Sequence, residues 1–504
     1  LYQVEPLGVV VPASVEDAER AMRYCLERGV PVLPRGGGTS LAGQCTNRAV
    51  VIDLSPRCNA LVRVAEDGRS CEVEPGITVD DLNAQLQSRG VFFAPDPATS
   101  RHANVGGCIG NNAAGARSIL YGRTSENLIG IEAVLGTGQR VRLQAGSGRS
   151  DPVVGELCER IGAIVREHRA LIRERFPRTI RRNAGYALDM MLDQLEASSG
   201  DPLALNLAHL LCGSEGTLAL TLGATLRLHP LPGAKGLATV AFASVDEAIE
   251  AVMPILSTSP SAVELLDDTV IDLARANTEY ARYVDLMPQP TTGRLCAVLY
   301  VEYFADSKAE VAGRFEALRR TVGSNAMLTF TEPGPMLQAW KLRKAGEPLL
   351  HGVPGRRKPV TFVEDNAVPP ERLGEFVREF RRIVESKGTR AAFWAHASVG
   401  VLHVRPFIDL KDADDRERMQ EIAIEVARLA RSVGGVMSGE HGDGRVRGPL
   451  LEEFFGPELM DAFRMVKRAF DPGNLLNPGN IVEPRPLGSI VTNLRIEPGP
   501  SIDG

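Results

Sequence analysis

The stretch PRGGGTSLAG (34–43) follows an apolar run, VPVLP (30–34), that reads as a β-strand. Three glycines in succession admit positive φ and let a ligand come close to the backbone. Consecutive N–H groups can then line one concavity and hold an anion. A flexible surface turn has the same composition, so GGG by itself leaves both readings open. Two phosphate-binding loops are excluded, because the chain contains neither G-x-G-x-x-G nor G-x-x-x-x-G-K.

A second loop narrows the choice. PDPATSRHANVGGCIGNNAAGARSILYG (95–122) sets Gly106, Gly107, Gly110, Gly115 and Gly122 beside Asn104, Asn111 and Asn112. That is much backbone donor capacity with few charges, as a large, polar, anionic cofactor requires. A third loop, CGSEGTL (212–218), lies shortly before a Pro/Gly stretch. In this order and spacing the three loops closely resemble those of the vanillyl-alcohol oxidase/p-cresol methylhydroxylase (VAO/PCMH) class of FAD flavoproteins, and the likeness covers nearly the whole chain. The resemblance implies an α+β architecture: a two-domain PCMH-type FAD-binding fold with an α+β substrate (cap) domain. It implies that Arg35, Gly36, Gly37, Gly38, Thr39 and Ser40 wrap the pyrophosphate. Pro95, Asp96, Ser100, Asn104, Gly106, Gly107, Asn111, Gly115 and Gly122 would follow the rest of the cofactor, and Glu215 and Gly216 would close the site. Some relatives carry a histidine in the first loop that bonds to the flavin. Thr39 stands there, so the implied FAD is noncovalent.

The bulk numbers agree with a globular protein of this size. The chain has 504 residues, 44% hydrophobic and 24% charged, with a net charge of −6. No dense basic block points to nucleic acid, and no apolar stretch approaches the ~18 residues that span a bilayer. Eight cysteines are scattered without a C-x-x-C pair, which reads as core thiols in a reducing compartment and excludes a clustered iron–sulfur site. The expected location is therefore cytoplasmic, or peripheral to a membrane. Capping boxes at Ser14/Asp17 and Thr78/Asp81 begin helices expected to end at Gly29 and Gly90. Residues 155–197 read as helical and 217–230 as a strand, and PLPGAKG (230–236) marks a boundary. Two strand–helix units beyond it, beginning at 236 and 296, predict a sheet with one face covered by helices. The expected domains are 1–232, completed by about 466–485, for FAD, and 233–465 for substrate. Residues 486–504 read as a tail or linker, and both ends as parts of a longer protein.

WAHASVGVLHVRP (394–406) carries chemistry of its own. Gly400, the valines and Pro406 argue against a helix. On one continuous strand His396 and His403 would face opposite sides, whereas a tight turn at 397–400 would let the imidazoles converge. His441 lies in MSGEHGDG (437–444), next to Glu440. Imidazoles with a carboxylate suit Zn²⁺ or a similar ion, although single histidines are more often satisfied structural residues. Within the class, the D-2-hydroxyglutarate, D-lactate and glycolate dehydrogenases carry G-H-x-G-D-G-N-x-H and later E-H-G, and this chain is similar to them. The resemblance implies that His396, His403 and Glu440 bind a divalent metal, Zn or Mn, and that His441 acts as base. Ala395, Ser398, Val399 and Val401 depart from the pattern, which alters the polar surroundings of the ligands.

Arg343 and Lys358 match family cations that grip a substrate carboxylate, though either also suits a solvated surface charge. Arg405 is a further candidate on the strand of His403. The resemblance implies oxidation of a D-2-hydroxy acid to the 2-oxo acid with hydride transfer to flavin N5. D-2-hydroxyglutarate is the first choice of substrate, then D-lactate or glycolate. The electron acceptor would lie outside this chain: a quinone, an electron-transfer flavoprotein or a C-terminal iron–sulfur region. An electron-transfer or assembly subunit without metal-dependent chemistry, an oxygen-using oxidase, and an alkyl-transfer enzyme of the same fold remain as alternatives.

Overall fold

A computed structural model describes residues 1–496; the end of the expected tail, from 497, lies outside the described residues. The strand Val32–Arg35 delivers the triple-glycine loop. It forms a parallel three-stranded sheet with Gly8–Val10 and Val50–Asp53, with Val50–Asp53 in the centre. Ser14 caps the helix Val15–Leu26 through Asp17 N, and Thr78 caps Val79–Leu86 through Asp81 N, as the capping boxes require. A five-stranded antiparallel sheet follows, in the order Leu61–Val64, Ser70–Val73, Ala219–Arg227, Leu128–Leu135, Arg140–Gln144.

The segment expected as helix over 155–197 is interrupted. Helices Pro152–Glu167 and Arg169–Arg175 stop before Pro177, which lacks the N–H that a helix interior needs, and helix resumes only at Leu188–Ala197. The intervening strap, 176–187, runs under the functional site and contributes a fully buried arginine, Arg181.

The second large sheet is antiparallel throughout. Its order is Met327–Phe330, Ala234–Phe242, Ala297–Ala305, Ala262–Asp267, Ala391–His396, Val401–Ile408, with the short Lys358–Pro359 at its end. Helices cover both of its faces rather than one. Val240, Leu299 and Val301 pack into the main core with Phe315, Leu318 and Phe376. Leu237, Leu266 and Tyr300 face the other way, against Val270, Ala274 and Leu342. Strand Ala297–Ala305 is buried at every position, and its continuous apolar run is the reason both faces need cover.

Two polar links, one half-buried and one buried, join segments distant in sequence. Arg117 donates through Nε and Nη2 to Glu302 at 2.6 and 3.0 Å, and through Nη1 to Asp96 at 2.6 Å. The helix Pro457–Phe470 presents Lys467, whose Nζ donates to Asp471 at 2.7 Å and to the carbonyls of Thr217 and Leu476 at 2.6 and 2.7 Å. Beyond it the chain joins the strand Val32–Arg35, with Val32 N donating to Leu475 O and Asn477 N to Val32 O. Residues 486–496 pack on the N-terminus, where Tyr2 bridges Leu494. All eight cysteines are free thiols, and no helix among the described residues is long and apolar enough to cross a membrane.

Substituting Asp471→Ala strands a buried ammonium, so equilibrium denaturation should register a loss of about 3–5 kcal/mol. An unchanged midpoint would show that the link carries no stability.

Candidate functional site

One cleft joins the glycine loops to the histidines. It encloses about 1690 Å³ of atom-free space, its open mouth included. Arg35, Gly36, Gly37, Gly38, Thr39 and Ser40 line it, as do Asn104, Gly106, Gly107, Asn111, Glu215 and Gly216. Among the described residues nothing accepts a hydrogen bond from the backbone amides of Gly37, Gly38, Thr39 and Ser40. Such a row of donors needs water or an anionic ligand. The loop is also packed too closely for side chains: a Cβ on Gly37 would stand 2.1 Å from His102 O, and one on Gly36 2.9 Å from Asn104 Oδ1. At Gly107, by contrast, which also lines the cleft, a Cβ would meet nothing within 4 Å. These features fit a long, polar, anionic cofactor such as FAD.

Five expected contacts stand behind the wall. Pro95, Asp96, Ser100, Gly115 and Gly122 are not among the lining residues, and Pro97, Ala98 and Thr99 take that place. The cause is local. Asp96 is turned toward Arg117, and Gly115 is glycine because a Cβ there would come within 2.1 Å of Asp96 Oδ1. Gly122 has φ of 75° above Glu126, and the Ser100 carbonyl receives Asp80 N.

At the inner end the chain folds back as the histidine spacing requires. Ala397–Val399 make one 3₁₀ turn, Gly400 takes φ of 67°, and a Cβ there would stand 1.9 Å from Val368 O. Trp394 pairs with His403 and His396 with Val401, which puts both imidazoles on one face of the sheet. Their ring centroids are 4.9 Å apart, and His441 stacks on His403 at 5.3 Å. Glu440 Oε1 lies 3.3 Å from His396 Nε2, 3.4 Å from His403 Nε2 and 3.8 Å from His441 Nε2. Donors held at about 2.1 Å from a tetrahedral ion stand about 3.4 Å apart, so His396, His403 and Glu440 can hold a divalent metal. The turn that carries Glu440 and His441 is capped by Asp365, which accepts from Glu440 N at 3.0 Å, His441 N at 2.7 Å and Ser438 Oγ at 2.7 Å.

Three further carboxylate links were not legible in the motifs. Glu264 receives Arg343 Nη2 at 2.6 Å and stands 2.7 Å from His396 Nδ1. Glu364 receives Arg405 Nε at 2.6 Å and lies 3.0 Å from His441 Nδ1. Glu440 Oε2 receives Arg181 Nη1 at 3.1 Å. Each carboxylate is thus shared between an arginine and the imidazoles. A charged residue inside an otherwise apolar strand, as in AVELLD (262–267), was the available signal for Glu264. Ser398 Oγ is buried with no hydrogen-bond partner, and Val399 and Val401 are buried. The polar surroundings of the imidazoles therefore come from neighbouring segments, not from the hairpin turn.

Electrostatics follow from these pairings. Burial opposes charge on His396, but the carboxylates of Glu264 and Glu440 together outweigh it and raise the imidazole. Burial depresses His403. Burial also opposes charge on His441, yet Asp365, Glu364 and Glu440 lift it to about 9. Glu440 stays ionised against its burial because Arg181 and the imidazoles face it. Arg343 lines the cleft with its Nε buried and unpartnered. Lys358 is a correction. It sits exposed at the sheet edge, outside the cleft, with its ammonium donating to Val353 O, because the short pairing with Ile408 turns it outward.

Comparison with known proteins agrees with this geometry. Residues 6–144 match the FAD binding domain family and residues 231–481 the FAD linked oxidases, C-terminal domain. A D-2-hydroxyglutarate dehydrogenase of Pantoea ananatis is 32% identical over 96% of this chain and 48% of its own length. A glycolate oxidase subunit of Bacillus subtilis is 28% identical over 95% of this chain and 90% of its own. The chain thus spans about half the length of the D-2-hydroxyglutarate dehydrogenases it matches. In three dimensions it resembles 4-ethylphenol oxidase from Gulosibacter chungangensis, with a TM-score of 0.64 and 16% identity, over 94% of this chain and 89% of that one.

Two substitutions test the two ends of the cleft. Gly107→Leu should lower FAD affinity at least about tenfold while shifting the stability of the flavin-free protein by no more than about 1 kcal/mol. Glu264→Gln should weaken metal retention by about 10–100-fold, read by metal analysis after graded chelation.

Proposed function

The chain belongs to the FAD-linked oxidases, in the branch of the D-2-hydroxyglutarate and D-lactate dehydrogenases and the glycolate oxidase subunits, and on that premise we propose that it oxidises a D-2-hydroxy acid to the 2-oxo acid. D-2-hydroxyglutarate is the first choice, in line with the relatives matched over almost the whole chain. The observation that carries the reading is the convergence of three imidazole Nε2 atoms on Glu440 Oε1, at 3.3, 3.4 and 3.8 Å, at the inner end of the glycine-lined cleft.

The FAD-binding part is taken as 1–232 with 466–485, and the substrate part as 233–465. FAD, held noncovalently along residues 35–40, 104–111 and 215–216, supplies the acceptor for the α-hydrogen and its electron pair. A divalent cation on His396, His403 and Glu440 supplies positive charge that makes a neighbouring hydroxyl more acidic. Arg343 takes the substrate carboxylate through the donors that Glu264 leaves available. His441 receives the hydroxyl proton. Trp394 and the apolar strand beneath it exclude water from the inner end. Electrons leave for an acceptor outside this chain.

Anaerobic mixing with D-2-hydroxyglutarate, D-lactate and glycolate should bleach the flavin with one of them. Prior chelation should abolish the bleaching, and Zn²⁺ or Mn²⁺ should restore it. His441→Gln should slow reduction about 10²–10⁴-fold with flavin still bound. Bleaching by none of the three acids would remove the reading.

A further inference from the structure

The mechanism above leaves two buried groups unused, the Glu364 carboxylate and the Arg405 guanidinium. Glu364 is completely buried on the segment that runs beside the Val401–Ile408 strand. Its Oε2 receives Arg405 Nε at 2.6 Å, and its Oε1 lies 3.0 Å from His441 Nδ1. Both atoms are buried, and neither makes a well-aligned hydrogen bond among the described residues, so the 3.0 Å approach is a contact between two otherwise unsatisfied polar atoms. Arg405 is itself pinned. It follows His403 by two residues on the same face of the strand, and its guanidinium lies 4.8 Å from the Trp394 ring centroid.

An imidazole accepts a proton only at the nitrogen that does not already carry one, and which nitrogen that is depends on its neighbours. An ionised carboxylate accepts hydrogen bonds and donates none, so a nitrogen facing it is held as N–H. Arginine donates only, so Arg405 keeps the Glu364 carboxylate turned as an acceptor toward both partners. In the neutral ring that a base requires, Nδ1 committed in this way leaves the lone pair of His441 on Nε2, the atom facing Glu440 and the cleft.

We propose that Glu364, clasped by Arg405, is the positioning residue for His441: it fixes the Nδ1–H tautomer and leaves Nε2 to receive the proton of the substrate hydroxyl. The inference rests on the reading of His441 as the base. The proton passes from the hydroxyl oxygen to Nε2, while the α-hydrogen leaves carbon with its electron pair for the flavin. Glu364 neither gains nor loses a proton.

The informative variant is Glu364→Gln. Arg405 offers only donors, so the glutamine carbonyl must turn toward it, and the amide NH₂ then faces Nδ1. The tautomer should reverse. In holoprotein carrying FAD and Zn²⁺, spectra of ¹⁵N-histidine-labelled protein, taken at a pH where His441 is neutral, should find its single proton on Nδ1 in the wild type and on Nε2 in E364Q. Flavin reduction at saturating substrate should fall about 10²–10⁴-fold, with substrate Kd, flavin content and bound Zn²⁺ unchanged. Glu364→Asp keeps a carboxylate and should recover the Nδ1–H form and part of the rate.

A neutral wild-type His441 that carries its single proton on Nε2 overturns the proposal without recourse to any variant. So does an E364Q protein that keeps the wild-type tautomer and rate, or one that loses rate only in step with lost Zn²⁺ or flavin. The tautomer measurement needs no substrate. If no D-2-hydroxy acid reduces the wild-type flavin, the functional reading falls separately, and the spectra still decide whether Glu364 sets the tautomer.

Discussion

Everything at the inner end of the cleft depends on three buried carboxylates, each shared between an arginine and imidazole: Glu264 with Arg343 and His396, Glu364 with Arg405 and His441, Glu440 with Arg181 and both hairpin histidines. Isolated, any of these charges would be costly to bury. Paired and hydrogen-bonded, they stay ionised in a site from which water is largely excluded. The arrangement gives up stability that apolar packing would supply and gains direction, because an imidazole ring held at one nitrogen presents the other at a fixed angle. That direction is what points the Nε2 atoms of His396 and His441 toward Glu440 Oε1, beside that of His403.

The same pairings draw together segments far apart in sequence. Arg181 comes from the strap after Pro177, Arg343 from the helix Pro333–Lys344, Glu264 from the strand Ala262–Asp267, and Glu440 from the turn that Asp365 caps. Outside the site, Arg117 clamps the loop of Asp96 to Glu302 on the second sheet, and Lys467 ties the last long helix to Asp471 and the Thr217 carbonyl. The cleft therefore sits between bodies of structure held in register by ion pairs as well as by a continuous apolar core. This explains how loops with little regular structure can present a consistent surface to a large ligand.

Readability differed among these parts for identifiable reasons. The glycine loops could be read because only glycine tolerates the close approaches found at Gly36 and Gly37. Gly400 marked the hairpin turn in the same way, and period-two alternation then settled which faces the histidines share. Capping residues placed the early helices. The strap at 176–187 was obscured by the helical pattern on both sides of it, although Pro177 was the sign of a break. Lys358 was misplaced because a basic residue near a matched motif says nothing about which way an edge strand turns it. Helical cover on both faces of the second sheet follows from apolar runs that alternate too little to reveal a solvent side.

Likeness to a known flavoprotein class supplied the class of fold; the amino-acid sequence by itself determined the loops that would meet a phosphate-bearing cofactor, and the two histidines and the Glu-His pair that could converge. These depend on local backbone freedom and short spacings, which the order of residues states directly. Which carboxylate orients which imidazole was decided only by the tertiary structure, as were Arg181 at Glu440 and the framing role of Asp96 and Gly115. Those assignments depend on distances between residues separated by tens to hundreds of positions, and a buried charge reveals its partner only once the chain has closed around it.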